Sequence, residues 1–103
     1  MFGFLKKIFG GGSGFKNLVK EGAAIVDVRT GPEYDRGHVK GALNIPLDRV
    51  AGRAGEFRAG NRAVICCCES GSRSAQAVAI LRKAGVKAYN GGNWKSLQHK
   101  LLS

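Results

Sequence analysis

Two stretches of this 103-residue chain, AAIVDVR at residues 23–29 and RAVICCC at residues 62–68, are apolar with little interruption and rich in β-branched residues. A strand with one wet face alternates polar and apolar side chains, whereas so continuous a run suits a strand covered on both faces. Covering both faces of a small sheet takes helices on either side. The clearest helical pattern, SRSAQAVAILRKAG at residues 72–85, directly follows the second run and its short loop. Ala77, Ile80, Leu81 and Ala84 fall at i, i+3, i+4 and i+7, and Val78 and Ala79 widen that face. Arg82 and Lys83 occupy the last turn and Gly85 stops it. The expected fold is α/β in three layers, a central parallel sheet of four to five strands flanked by helices and joined by right-handed crossovers. A chain of this length builds one core.

Weaker signals complete the order. FKNLVKEG, from residue 15, reads as a short helix stopped by Gly22, and TGPEY (30–34) as a turn. LNIP (43–46) reads as a short strand ended by Pro46, and LDRVAGRAGEF (47–57) as a weak helix diluted by glycines. VKAYN (86–90) is a further strand, and GGNWKSLQHKLL (91–102) a glycine pair leading into a helix. GGGSG at residues 10–14 reads as a flexible linker. The compact domain is therefore expected over residues 15–103, after an N-terminal segment over residues 1–14. In that segment Phe2, Leu5, Ile8 and Phe9 share one helical face with Lys7 opposite. Residues 1–9 are thus a short basic amphipathic stretch, good for weak contact with a membrane surface. They make a poor secretion signal, because lysines interrupt the apolar run and no A-x-A-like cleavage site follows.

Charge and cysteine usage narrow the partners. Seventeen Lys+Arg against seven Asp+Glu give a net charge of +10, which favours anionic partners. The basic residues are scattered and the aromatics form no stacking motif, so no nucleic acid is expected. The three cysteines are adjacent and odd in number, which gives no disulfide framework. No Cys-x-x-Cys or His-x-x-x-His spacing exists, so neither metal nor cofactor is expected. Free thiols suit a reducing compartment, and the expectation is a cytoplasmic monomer.

In open α/β sheets, sites lie at the carboxyl ends of strands. The strand that ends at Cys68 delivers Glu69, Ser70, Gly71, Ser72, Arg73 and Ser74 just before the best helix. Gly71 is free to adopt positive φ, so successive backbone N–H groups can point inward, and the helix N-terminus adds positive potential. A cysteine at that rim would have its thiolate stabilised, and Arg73 brings a planar cationic fork for an oxyanion. The serines offer further donors, or shape the loop and cap the helix. Asp27 and Arg29, at the end of the first strand, read as a structural ion pair near the site. A buried cysteine strand before an N-capped helix would use the same residues without any chemistry. Two registers compete for a nucleophile. From Cys67 the spacing to Arg73 is Cys-x5-Arg, formally the tyrosine-phosphatase signature; from Cys68 it is Cys-x-x-Gly-x-Arg-Ser.

The shorter register resembles the active-site loop of the rhodanese (sulfurtransferase) family. Gly71 falls three residues after Cys68, and Cys66 stands where the phosphatase pattern has a histidine before its cysteine. IVDVR (25–29), EYDRGHVKGALNIP (33–46) and YNGGNW (89–94) resemble three further elements of that family, in the expected order. The resemblance implies a three-layer rhodanese-like domain and a catalytic Cys68 that carries sulfur as a persulfide. It implies a small anionic donor, thiosulfate or a persulfide, and as acceptor cyanide, a thiol or a thioredoxin-like protein. The loop from Glu69 to Ser74 would bind the substrate, with Arg73 on the donor's anionic end. Glu33 and His38 would be architectural. Glu69 is a departure: a carboxylate beside the thiolate opposes anion binding and raises the thiol pKa, which disfavours thiosulfate relative to a persulfide. Strand alternation puts Cys66 and Cys68 on one face and Cys67 on the other. Cys66 and Cys67 are expected as core fillers, a resolving thiol being the alternative. A non-catalytic module that carries sulfur or docks a partner remains the alternative to an enzyme, although inactive relatives commonly lack the cysteine that Cys68 represents.

Overall fold

Both apolar runs become strands buried from end to end: β1, Ala24–Asp27, and β3, Val64–Cys68. They pair in parallel at the centre of a four-stranded sheet, flanked by β2 (Leu43–Asn44) and β4 (Ala88–Asn93) in the order β2-β1-β3-β4, with every pairing parallel. The structure is a computed structural model and describes residues 12–103. The amphipathic stretch expected over residues 1–9 lies outside these residues.

Helices cover both faces, as a parallel sheet requires. On one side α3 (Val50–Ala59), entered through a 3₁₀ turn at Leu47–Arg49, and α4 (Ser72–Lys83) contribute Phe57, Ala77 and Leu81 to a core shared with Val26, Cys66 and Cys68. On the other, α1 (Gly12–Lys20) and α5 (Trp94–Leu102) bring Leu18 and Leu97 onto Ile25, Ile65 and Cys67. The three cysteines therefore divide between the two cores by strand alternation alone. Among the described residues, no helix is long and apolar enough to cross a membrane.

Three local expectations are corrected. TGPEY is not a bare turn: Gly31–Asp35 form a short helix, α2, closed by a capping box in which Thr30 Oγ1 accepts from the Glu33 N–H and the Glu33 side chain accepts from the Thr30 N–H. Pro32, in its first turn, is pre-set for helical φ. Gly12 and Gly14 do not link but open α1, where docking overrides their poor helix propensity; Lys100 of α5 stands over the Phe15 ring. The strand expected over residues 86–90 instead runs from Ala88 through the glycine pair to Asn93.

That pair has a packing reason. Register along β3 runs Cys66 to Asn90 and then Cys67 to Gly92, so Gly91 is the extra residue of a bulge. A Cβ on Gly91 would sit 2.9 Å from Ile65 Cγ2, 2.9 Å from Leu97 Cδ2 and 3.1 Å from the Cys66 carbonyl oxygen. Only a hydrogen fits there. Gly91→Ala is expected to destabilise by about 1–3 kcal/mol through overpacking. Gly52→Ala, in α3 where a Cβ meets nothing within 4 Å, is expected to stabilise by about 0.5–1 kcal/mol. Urea unfolding of both variants measures the contrast in sign.

Candidate active site

β3 ends at Cys68, and the chain turns through Glu69–Gly71 into the first turn of α4. Gly71 is the pivot. It sits at φ 90° and ψ −8°, in the left-handed region, as the N-cap of α4. The turn aims two backbone donors at the strand end: the Gly71 N–H lies 3.0 Å from Cys68 Sγ and the Ser74 N–H 3.4 Å from it. Ser74 Oγ stands 3.4 Å from the same sulfur. Cys68 is 0% exposed. Burial pushes its thiol pKa up, but the Ser74 hydroxyl and the N–H groups of Ser74, Gly71 and Ser70 outweigh burial and hold it below the ordinary value. Its neighbours lack such donors. Burial pushes Cys66 up to about 12, and burial followed by the Asp27 charge pushes Cys67 up as well.

The remaining loop residues take different parts. Ser70 Oγ accepts from the Ser72 N–H at 3.4 Å, which shapes the turn. The Glu69 side chain is 56% exposed, with Oε2 3.7 Å from Arg29 Nη1. Arg73, expected to meet an anion, has its fork on Glu33: Nη1 to Oε1 at 2.8 Å and Nη2 to Oε2 at 3.0 Å. That contact, followed by the Thr30 N–H, holds the Glu33 carboxyl well below the usual carboxylate range.

Asp27 and Arg29 pair with each other. Arg29 Nη2 lies 2.7 Å from Asp27 Oδ2, and both residues are buried. The same guanidinium donates to the carbonyls of Glu33 and Gly37 and packs 4.9 Å from the Trp94 ring centroid. It fastens the end of β1 to the α2 loop. Gly37 is held close to that ring, since a Cβ there would meet Trp94 Cη2 at 3.0 Å. His38 stacks on Tyr34, with centroids 3.6 Å apart, and its Nδ1 pairs with the Tyr34 carbonyl, an architectural arrangement. Beside the loop, a cleft of about 300 Å³ is lined by Arg29, Glu33, Arg36, Glu69, Trp94 and Lys95.

Two residues of YNGGNW have roles at the site that the sequence alone does not give them. Asn90 Oδ1 accepts from Ser74 Oγ at 2.6 Å, and its Nδ2 donates to the Gly71 carbonyl at 3.1 Å. Asn93 Nδ2 donates to the Glu69 carbonyl at 2.6 Å, while its Oδ1 caps α5 at Ser96. Their signal was in the sequence: asparagine is depleted in strands, and two of them bracket a glycine pair at the end of one.

A family model for the Rhodanese-like domain matches residues 13–97. The chain belongs to the rhodanese-like family. It is 38% identical over 74 residues to the thiosulfate sulfurtransferase PspE of Escherichia coli, covering 70% of this chain and 71% of that one. It is 39% identical over 67 residues to the putative sulfur carrier protein YrkF of Bacillus subtilis, covering 65% of this chain. It spans only 36% of the length of YrkF and 54% of a second B. subtilis relative. A rhodanese-like domain protein from Staphylococcus aureus superposes with a TM-score of 0.69 at 30% identity, over 85% of this chain and 87% of that one. The parallel sheet flanked by helices is the fold of this family.

The Glu33–Arg73 pair links α2 to the rhodanese-type loop and gives a pH test. A carboxyl lowered on folding contributes stability in full above its ordinary pKa of about 4.3, and that contribution is lost as pH falls through the window below it. Glu33→Gln is expected to cost about 1 kcal/mol at pH 7. The gap to the parent should narrow as pH drops below about 4. Urea midpoints at pH 7 and pH 3 measure it; an equal gap at both would assign the loss to packing instead of charge.

Proposed function

We propose that this chain is a sulfurtransferase that carries sulfane sulfur as a persulfide on Cys68. The observation behind the reading is the differential treatment of three adjacent thiols: only Cys68 Sγ, among them, receives the N–H groups of a left-handed turn and a helix start. Such a cradle favours a thiolate and, after transfer, an anionic persulfide. Cys68 thiolate attacks the outer sulfur of the donor. The donor S–S bond breaks, its electron pair leaves with the donor fragment as a thiolate or sulfite, and a Cys68 persulfide remains. A thiophilic acceptor then attacks the outer sulfur, and the Cys68 thiolate is released for another cycle.

The surrounding charges support a persulfide donor over thiosulfate. Arg73 already has a carboxylate on its fork, and Arg29 has Asp27 with Glu69 nearby. A dianion binding to either guanidinium would have to displace Glu33 or face Glu69, at an electrostatic cost. A low-molecular-weight or protein persulfide carries less charge at the reacting end. The acceptor is a thiol, cyanide serving in its place in an assay, and a thioredoxin-like protein has the required chemistry. We place the protein in a reducing compartment such as the cytoplasm, where its three thiols stay free, and expect it to act as a monomer without metal or cofactor.

A sulfur carrier, as YrkF is named, would share the first half of this cycle and lack turnover with small acceptors. The phosphatase register finds less support. Its nucleophile, Cys67, lies in the opposite core with its thiol held protonated by burial and by Asp27.

Incubation with a persulfide donor and intact mass measurement should show a gain of one sulfur atom. The gain should vanish in Cys68→Ser and persist in Cys67→Ser, and loading from thiosulfate should be slower. Loss of the added sulfur in Cys67→Ser alone would overturn the register.

A further inference from the structure

Ser74 has one hydroxyl proton and two neighbours that can take it. Its Oγ is 2.6 Å from Asn90 Oδ1 and 3.4 Å from Cys68 Sγ. The Asn90 amide cannot turn round to become a donor here without losing its other bonds. Its Nδ2 donates to the Gly71 carbonyl at 3.1 Å, and its Oδ1 also accepts from the Gly92 N–H at 2.8 Å. The atom facing Ser74 is therefore a fixed acceptor.

This arrangement behaves differently in the two states of the sulfur. As a thiol, Cys68 donates its S–H to Ser74 Oγ, and Ser74 passes its own proton toward Asn90, so every group is paired. Once ionised, the sulfur has no proton to give and becomes an acceptor. Ser74 then stands between two acceptors with a single proton. We propose that Asn90 is a positioning residue that sets the ionisation of Cys68 by competing for the Ser74 hydroxyl proton. The proton rests on the Asn90 side while the sulfur is a thiol and swings to the sulfur when the thiolate forms. In the persulfide the inner sulfur is neutral again, and the proton returns to Asn90. The inference rests on Cys68 being the sulfur-bearing residue.

Other charges around the loop are Arg73 on α4, Glu33 on α2 and Arg36 just after it, Asp27 and Arg29 at the end of β1, Glu69 in the turn, and Lys95 on α5 across the cleft. The neutral thiols of Cys66 and Cys67 lie behind the sulfur on β3. None of the Asn90 hydrogen bonds above goes to these groups, so substitution at position 90 leaves their charges in place.

The test is the pH dependence of iodoacetamide alkylation at Cys68 in the full chain, located by mass spectrometry. Removing the competitor frees the hydroxyl for the thiolate. Asn90→Ala should therefore lower the midpoint by about half a unit to one unit, the worth of one hydrogen bond. Ser74→Ala should raise it, and the double variant should match Ser74→Ala. A merely structural role for Asn90 predicts the opposite sign, because loosening Gly71 withdraws a donor from the sulfur. A raised or unchanged midpoint in Asn90→Ala, or an equal fall in the Ser74→Ala background, overturns the proposal. Should Asn90→Ala fail to fold, Asn90→Val, which suits a strand, carries the same expectation. Alkylation needs no sulfur transfer. Midpoints that shift as expected in a protein that never loads sulfur would leave the switch standing and remove the transferase reading.

Discussion

The backbone of Gly71, held at φ 90°, is where strand, loop and helix meet. Its left-handed turn lets β3 stop at Cys68 and α4 start at Ser72 with three residues between them. The same turn directs its N–H at the Cys68 sulfur and brings the Ser74 N–H to the other side. A side chain at this position would strain the turn and approach the Cα of Gly92 at 3.5 Å. The conformation is also tied from outside, since the Gly71 carbonyl accepts from Asn90 on β4. The sheet edge thus fixes the loop, and the loop fixes the electrostatics of the sulfur. The Gly91 bulge belongs to the same construction: it lets β4 pair with β3 at Cys66 through Asn90 and still pair again from Cys67 onward.

Three identical residues in a row show how far environment outweighs chemical identity. Strand alternation sends Cys66 and Cys68 into one core and Cys67 into the other. In the middle of the sheet, backbone N–H groups are used by the neighbouring strands and none is left for a thiolate, so burial dominates and the thiols stay protonated. At the strand end the ladder stops and fresh N–H groups from the helix start become available. Position along the strand decides which thiol pKa is lowered and which are raised.

Much of this was legible in the sequence because it depends on local rules. Continuous apolar runs gave the two central strands, the 3.6-residue period gave α4, and Gly71 marked the turn between β3 and α4. What escaped depended on partners distant in sequence. Arg73 reads as a free cation until Glu33, forty residues earlier, is brought to it by the parallel crossover. The glycine pair reads as a lead into a helix until Ile65 and Leu97 are found to leave no room for a side chain at Gly91. Asn90 reads as an ordinary strand end until the sheet sets it beside Ser74. The α2 helix is a different case. Its signal, Thr30 followed by Glu33, was local and was outweighed by the Gly-Pro between them.

The arginine pairing bears on how the site can discriminate among donors. The two guanidiniums that meet at the loop are already matched, Arg73 with Glu33 and Arg29 with Asp27 and Glu69, while Arg36 and Lys95 line the cleft beside it. A site built to capture a small dianion gains most from cations left open to it, because the attraction then acts without first breaking an ion pair. Here the pairs serve architecture, joining α2 and β1 to the loop, and the cleft beside it holds the exposed Glu69 carboxylate together with Arg36 and Lys95. Attraction for the sulfur itself comes from neutral N–H dipoles, which are short-ranged and act once the reacting atom is in place. In the proposed function the final discrimination is therefore made by shape and contact at the sulfur. Under the function proposed above, that favours a donor presenting a single terminal sulfur over a compact, doubly charged oxyanion.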